Sequence, residues 1–263
     1  MIASTSNKQV KYVMNLRDKA KVRREEGLFI AEGLRMCREL NPKETRQVYV
    51  TEAFARDEQN RRWLQGFSWE TVSDSVMEHM AGTKTPQGVL ALVRQKNWTL
   101  DSILREKPGG PAACLMVLET IQDPGNLGTI LRAGEGAGIT GVVMSRDTAD
   151  LYNPKVIRST MGSCLRVPFV YADDLFAALE QMKRAGLRLF AAHLQGSVPY
   201  DEEDYRGKTA FLIGNEANGL SEQAASLAHC RIRIPMAGQV ESLNAAVAAS
   251  VLMFEAARQR RRG

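Results

Sequence analysis

Three stretches of this 263-residue chain hold side chains able to do chemistry. In IRIPMAGQVESLNAAVAASV, residues 232–251, Ile232 and Ile234 alternate with Arg233 as in a short half-buried strand. Pro235 cannot donate to a strand ladder and ends it. A loop follows through Gly238 to Ser242, whose hydroxyl can cap a helix running on from Leu243. Asn244, Ala245, Ala246, Ala248 and Ala249 open that helix with small side chains, so another backbone can come close. Strand end, loop amides and capped helix N-terminus together form a cradle for a polar ligand. Alone, the stretch reads first as an ordinary strand-to-helix connection.

The second stretch, ETIQDPGNLGTILRAGEGAGIT, puts Asp123 and Pro124 where an N-cap and a first helical turn belong. Leu127, Ile130, Leu131 and Gly134 then fall on one helix face, with Gly125, Gly128 and Arg132 opposite. Arg132 projects from a face stripped of side chains, where a bulky ligand could reach backbone and guanidinium together. Asn126 sits in the first turn, near the positive end of the helix. Gly134, Gly136 and Gly138 come too late in the helical pattern for a dinucleotide fingerprint, and Ile139 takes the place of its last glycine. The third stretch is Gly214-Asn215-Glu216, at the C-terminal end of a buried strand over 211–213, where open α/β sheets bind ligands. Glu216 reads as a carboxylate that braces the loop by accepting backbone N–H groups.

The elements that must hold these residues alternate strand and helix. Residues 113–118, 139–144, 167–170, 187–193 and 211–213 read as strands, and 173–186 as an amphipathic helix. That is the pattern of a parallel sheet covered by helices. Asn153-Pro154 opens a further segment in which Lys155 and Arg158 stand beside the small Ser159, Thr160 and Gly162. Ahead of these lies a smaller α/β unit. Its strands fall at 28–30, 47–54 and 89–95, with a helix over 33–40 turning Leu34, Cys37 and Leu40 inward and a polar helix ending at Met80. The run EKPGGPA, residues 106–112, is the best linker and sets a boundary near Pro108, giving units 1–108 and 109–263.

Composition excludes several classes. Hydrophobic and charged contents of 44% and 25% are ordinary for a soluble globular protein. No run reaches the roughly 18 apolar residues of a membrane span, and the N-terminus lacks the apolar core of a secretory signal. Cys37, Cys114, Cys164 and Cys230 form no C-x-x-C pair, and His79, His193 and His229 no ligand spacing. Neither a metal site nor a disulfide framework is expected, and a cytoplasmic protein is. The net charge of +5 leans toward a polyanionic partner. Residues 1–40 hold nine basic side chains (Lys8, Lys11, Arg17, Lys19, Lys21, Arg23, Arg24, Arg35, Arg38) against five acidic ones. They form either a solvated face or a phosphate-contacting patch.

Three blocks in order, DPGNLGTILRA, LIGNEANGL and IPMAGQVESLNAAVA, closely resemble the three motifs of the SpoU (TrmH-like) family of SPOUT RNA methyltransferases, over about residues 113–257. The first hundred residues resemble, more weakly, the family's small α/β substrate-recognition domain, through FIAEGLRMCREL and the region 83–93. The resemblance implies an α/β fold in which a C-terminal SPOUT domain, with a parallel sheet and a deep trefoil knot, follows a small α/β RNA-recognition domain. Such a knot is an exception to the rule that chains do not thread themselves. It also implies a homodimer that transfers a methyl group from S-adenosyl-L-methionine to a ribose 2′-hydroxyl. Ribosomal RNA is the first expected substrate and transfer RNA the second.

Position by position, Asn126, Arg132, Glu216, Ser242 and Asn244 match the family's active-site positions, and Gly214, Ile234, Met236 and Leu243 those that hold the cofactor. Thr160-Met161 stands where the family commonly has smaller residues, and Ala217-Asn218 replaces a more acidic pair. The family account often makes Arg132 the general base. A guanidinium is an awkward base, and a clamp on phosphate and developing alkoxide is the alternative. Competing functions are an RNA-binding protein that kept the fold without catalysis, an enzyme methylating an RNA base, and a small-molecule methyltransferase. The first would be expected to lose Asn126, Arg132 or Ser242-Leu243-Asn244, all of which are present. The basic N-terminus disfavours the last.

Overall fold

A computed structural model describes residues 1–105, 108–195 and 198–262, so Glu106 and Lys107 of the expected linker lie outside the described residues. Two compact units divide the chain differently from a single cut near Pro108. One is Met1–Lys96 with Asp150–Gly162, the other Asn97–Ala149 with Ser163–Gly263. Ile103, ahead of the Pro/Gly run, is buried in the second unit's core with Leu115, Val117 and Val143, which places its short helix there.

In the first unit, strands β1 (Leu28–Glu32), β2 (Thr45–Thr51), β3 (Trp69–Val72) and β4 (Val89–Arg94) form a sheet in the order β1-β4-β2-β3. β4 runs antiparallel to both neighbours, and β2 parallel to β3. The Lys8–Asp18 helix buries Val10, Val13 and Leu16, spaced three apart on one face. They share a core with Leu28, Ile30, Leu90 and Leu92 of the sheet.

Asp150–Gly162 completes this unit. Arg23, 3% exposed, donates from Nε and Nη2 to Asp150 Oδ2 at 3.0 and 2.6 Å. Its Nη1 donates to the Leu16 and Arg17 carbonyls at 2.7 Å each. Tyr152 stacks on Phe29 with ring centroids 4.8 Å apart, and its hydroxyl accepts the Lys96 N–H at 2.9 Å. Arg23 is therefore no phosphate contact, which corrects its place among the N-terminal cations. Lys8, Lys11, Lys19, Arg24, Arg35 and Arg38 are the exposed ones in that set without an anionic partner among the described residues, Arg38 donating only to the neutral Asn60 side chain. Asp150→Ala would leave a buried guanidinium unpaired, a change that costs about 3–5 kcal/mol. The unfolding midpoint in urea should drop accordingly. Asp150→Asn keeps an acceptor and should lose less, and an unchanged midpoint in both would show that the pair does not hold the segment in place.

The second unit is built on β5 (Cys114–Leu118), β6 (Gly141–Ser145), β7 (Phe169–Ala172), β8 (Arg188–Ala192), β9 (Val198–Pro199), β10 (Thr209–Ile213) and β11 (Cys230–Arg233). They form one all-parallel sheet in the order β7-β6-β5-β10-β8-β11-β9. Every residue of β5, β6 and β10 is buried. Strands covered on both faces need no polar side, which is why they read as unbroken apolar runs. From β5 the chain moves outward to β6, and from β10 it moves the other way to β11. The crevice between β5 and β10 is thus a topological switch point, where such sheets take ligands.

The last helix, Ala245–Arg262, packs on the Pro124–Ala137 helix. A Cβ at Gly134 would collide with the Ile139 side chain and stand 3.3 Å from the Met253 sulfur of the last helix, so the bare position makes room chiefly for Ile139. Because β11 lies beyond β8, the chain from Ile234 to Asn244 recrosses the carboxyl ends of β8 and β10 to reach this helix. Among the described residues no helix is long and apolar enough to cross a membrane, and no group of His, Cys, Asp and Glu could hold a metal.

Candidate active site at the carboxyl ends of β5 and β10

A cavity of about 670 Å³ opens where β8, β10 and β11 end, bounded by residues 213–220, 232–236 and 241–243 with Ala245, Ala248 and Leu252. Gly214, Ile234, Met236 and Leu243 all line it, as do Glu216 and Ser242, whereas Asn126, Arg132 and Asn244 do not. Gly214 is bare for a reason internal to the loop. Asn215 and Gly219 exchange two backbone hydrogen bonds, at 2.9 and 2.8 Å, and a Cβ on Gly214 would fall on the Gly219–Leu220 peptide. Gly219, at φ 69°, makes the turn. The returning chain itself occupies the space that a side chain at Gly214 would take.

Beside the cavity, one hydrogen-bonded chain links the three motif segments. Asn126 Nδ2 donates to Glu216 Oε1 at 2.9 Å, and Asn126 Oδ1 accepts from Asn244 Nδ2 at 2.9 Å. Asn244 Oδ1 in turn accepts the Ala246 and Val247 N–H groups at 2.9 and 3.3 Å. The ends fix both amide orientations, because an ionised carboxylate only accepts and a backbone N–H only donates. Asn244, not Ser242, therefore caps the last helix, which starts at Ala245 rather than Leu243. Both residue types cap well, so the pattern alone could not choose between them. Asn126 keeps only one amide hydrogen and one lone pair uncommitted, which makes it chiefly a brace.

Glu216 accepts the Gln122 and Asp123 N–H groups at 3.2 and 3.3 Å in addition to Asn126. Burial alone would raise its pKa, but the hydrogen bonds from Asn126 and from the backbone of Glu216, Gln122 and Asp123 outweigh it and hold the carboxyl below its usual range. Those bonds favour the folded state fully above the unfolded pKa, and the contribution is lost as pH falls through the lowered folded value. Asp123 caps the Pro124–Ala137 helix as expected, accepting the Asn126 N–H at 2.8 Å.

Arg132 is exposed and makes no hydrogen bond or ion pair among the described residues. It lies six residues, about 9 Å of helix rise, beyond Asn126. Gly128 is buried rather than facing outward with it, so the bare face is narrower than the helical pattern predicts. Two residues, Glu119 and Thr120, escaped the sequence reading, and Asn215 stands in it without a role. Glu119 accepts the Ser221 N–H and Oγ at 2.7 and 2.6 Å. Asn215 donates from Nδ2 to the Thr120 carbonyl at 2.8 Å. Thr120 itself has φ 58°, in the left-handed region that β-branched residues avoid at a cost on the order of 1–3 kcal/mol. Nothing in a threonine after an apolar strand signals that conformation.

The comparisons with known proteins agree with this geometry. The family model described as SpoU rRNA Methylase family matches residues 113–254, and that of the MRM3-like substrate binding domain matches residues 7–91. The 23S rRNA (guanosine(2553)-2′-O)-methyltransferase RlmP of Bacillus subtilis is 29% identical over 96% of this chain and 97% of its own. The 23S rRNA (guanosine-2′-O-)-methyltransferase RlmB of Xylella fastidiosa is 33% identical over 77% of this chain and 82% of its own. An AdoMet-bound rRNA methyltransferase from Sinorhizobium meliloti superposes with a TM-score of 0.81 at 30% identity, covering 98% of this chain and 97% of that one. The SpoU methyltransferase AviRb from Streptomyces viridochromogenes, also with AdoMet, reaches 0.86 at 26% identity, covering 98% and 99%.

Proposed function

We infer, because the chain belongs to the SpoU rRNA Methylase family, that it is an S-adenosyl-L-methionine-dependent methyltransferase acting on a ribose 2′-hydroxyl of RNA. Ribosomal RNA is the substrate class to test first, since RlmP and RlmB are named for 23S rRNA. The observation that carries the reading is the cavity at the carboxyl ends of the parallel strands, with Glu216 of its lining tied to Asn126 and Asn244.

The residues present fit the cofactor. A cavity of about 670 Å³ suits a ligand of its size. Ile213, Ile232, Ile234, Leu243 and Leu252 offer apolar walls, with polar side chains such as Ser242 and Asn218 at the border. Gly214, Ile234, Met236 and Leu243 are the positions proposed to hold it. When bound, it supplies a methyl group already activated by a sulfonium. The chain's own work is alignment of the acceptor hydroxyl. Arg132 holds a substrate phosphate and stabilises the developing alkoxide. Asn126 and Asn244 fix the frame on which Arg132 stands, and Ser242, in the cavity lining, is the residue proposed to position the ribose. Glu216, its oxygens engaged by three N–H donors, is a poor proton acceptor and serves as a brace.

The first unit, with its exposed Lys8, Lys11, Lys19, Arg24 and Arg35, is read as the RNA-gripping part. A homodimer belongs to the same reading. Val247 and Phe254, 48% and 47% exposed two turns apart on the last helix, are apolar surface that a second copy could cover. The recrossing segment 234–244 is read as the pass that knots the chain. Its support is β11 standing beyond β8 while the last helix packs against the Pro124–Ala137 helix and β10. The test is nucleoside mass spectrometry with site mapping on RNA from a strain lacking the protein and from a complemented one. A single 2′-O-methylnucleoside should vanish and return. A base-methylated nucleoside in its place, or no difference, overturns the reading.

A further inference from the structure

Three side chains fasten the loop after β10 to the segment after β5. Glu119 takes Ser221, Asn215 takes Thr120, and Glu216 takes Gln122, Asp123 and Asn126. Asn215 is engaged in both directions. Its Oδ1 accepts the Ala217 and Asn218 N–H groups at 2.8 and 3.2 Å, which shapes the loop, while its Nδ2 moors that loop to the Thr120 carbonyl at 2.8 Å. The mooring point is itself fixed. Thr120 donates its N–H to Ser145 Oγ and its Oγ1 to Asp147 Oδ2, both at 2.8 Å, and these bonds hold it at φ 58°. A residue kept in a sparsely populated conformation by surrounding bonds is a mark of a site where position matters.

Glu216 follows Asn215 directly, and its carboxylate grips the first turn of the helix that carries Asn126 and Arg132. We propose that Asn215 is a positioning residue for methyl transfer: by mooring the loop to the Thr120 carbonyl, it sets where Glu216 holds Asn126 and hence where Arg132 stands. Although Asn215 borders the cavity, its amide is spent on Thr120, Ala217 and Asn218, so it acts through its neighbours. The kinetic arm of the test rests on the 2′-O-methyltransferase reading, and the exchange arm does not.

Asn215→Asp keeps the size and the acceptor for Ala217 and Asn218 but sets an oxygen against the Thr120 carbonyl. Single-turnover methyl transfer should fall about 10²-fold, the effect of misplacing a catalytic group by on the order of 1 Å. Affinity for S-adenosylhomocysteine and the unfolding midpoint should stay near wild type. Thr120→Gly accepts the left-handed conformation without strain and keeps the carbonyl but loses the hydroxyl bond to Asp147, so its turnover should fall less than that of Asn215→Asp. Hydrogen exchange at the Gln122 and Asp123 amides, which donate to Glu216, should quicken in Asn215→Asp and less in Thr120→Gly. Wild-type turnover in Asn215→Asp overturns the proposal, as does a parallel fall of turnover, cofactor affinity and midpoint, the signature of a merely structural residue. If the wild-type protein makes no 2′-O-methylnucleoside, the functional reading has failed instead. The exchange then decides alone, and unchanged protection at Gln122 and Asp123 overturns the role of Asn215.

Discussion

Arg132→Ala should cut methyl transfer by about 10²- to 10³-fold, the loss typical of removing one group aimed at a developing oxyanion. The fold and the cofactor affinity should stay near wild type. Arg132 is exposed and absent from the cavity lining, so its truncation opens no core void. A surface change of that kind usually costs under about 0.5 kcal/mol. Arg132→Lys separates clamp from base. A clamp needs the planar two-pronged guanidinium, so lysine should rescue poorly at every pH. A base would be restored in part as pH rises and the amine loses its proton. Single-turnover rates across pH, at saturating cofactor and RNA, give the answer, and near-wild-type turnover in Arg132→Ala removes the residue from the mechanism.

Gly214→Val should abolish cofactor binding, and for a reason the loop geometry makes explicit. Any Cβ there meets the Gly219–Leu220 peptide, which cannot yield as a flexible side chain would. Forcing backbone aside in a packed region costs typically about 1–3 kcal/mol and sometimes more. The loop should open, taking with it Glu216 and the cavity wall. Calorimetry with S-adenosylhomocysteine should find no binding, and the unfolding midpoint should drop. Gly219→Ala is the milder control, because its Cβ would meet nothing within 4 Å and only its φ of 69° is disfavoured. Wild-type affinity in Gly214→Val would place the cofactor somewhere other than this cavity.

The parallel sheet was readable because burial on both faces writes an apolar run into the chain, as in CLMVL of β5 and TAFLI of β10. The Asp123-Pro124 helix start was readable because capping is a local bond with a local signature. What escaped depends on partners far along the chain. Asn244 caps the last helix while its amide is tied to Asn126, 118 residues earlier, and nothing near Ser242 records that bond. Thr120 bends into the left-handed region because Ser145, Asp147 and Asn215 hold it there, not through any preference of its own. Ile234 fell outside β11 because the ladder stops at Arg233, one residue before the alternation does.

Proteins are made from the N-terminus, and the first unit cannot be finished in that order. Its sheet is available once Lys96 has been made, but Asp150 lies 54 residues later (150 minus 96). At ordinary synthesis rates that gap lasts roughly 3–11 s. For that interval Arg23 lacks its carboxylate and Phe29 lacks the Tyr152 ring. What emerges meanwhile is β5, the Pro124–Ala137 helix and β6, two of the seven strands of the other unit's sheet. The two units therefore mature interleaved rather than one after the other. A chain released at Lys96 would carry an unpaired buried guanidinium, which gives cellular quality control a physical mark of an unfinished product.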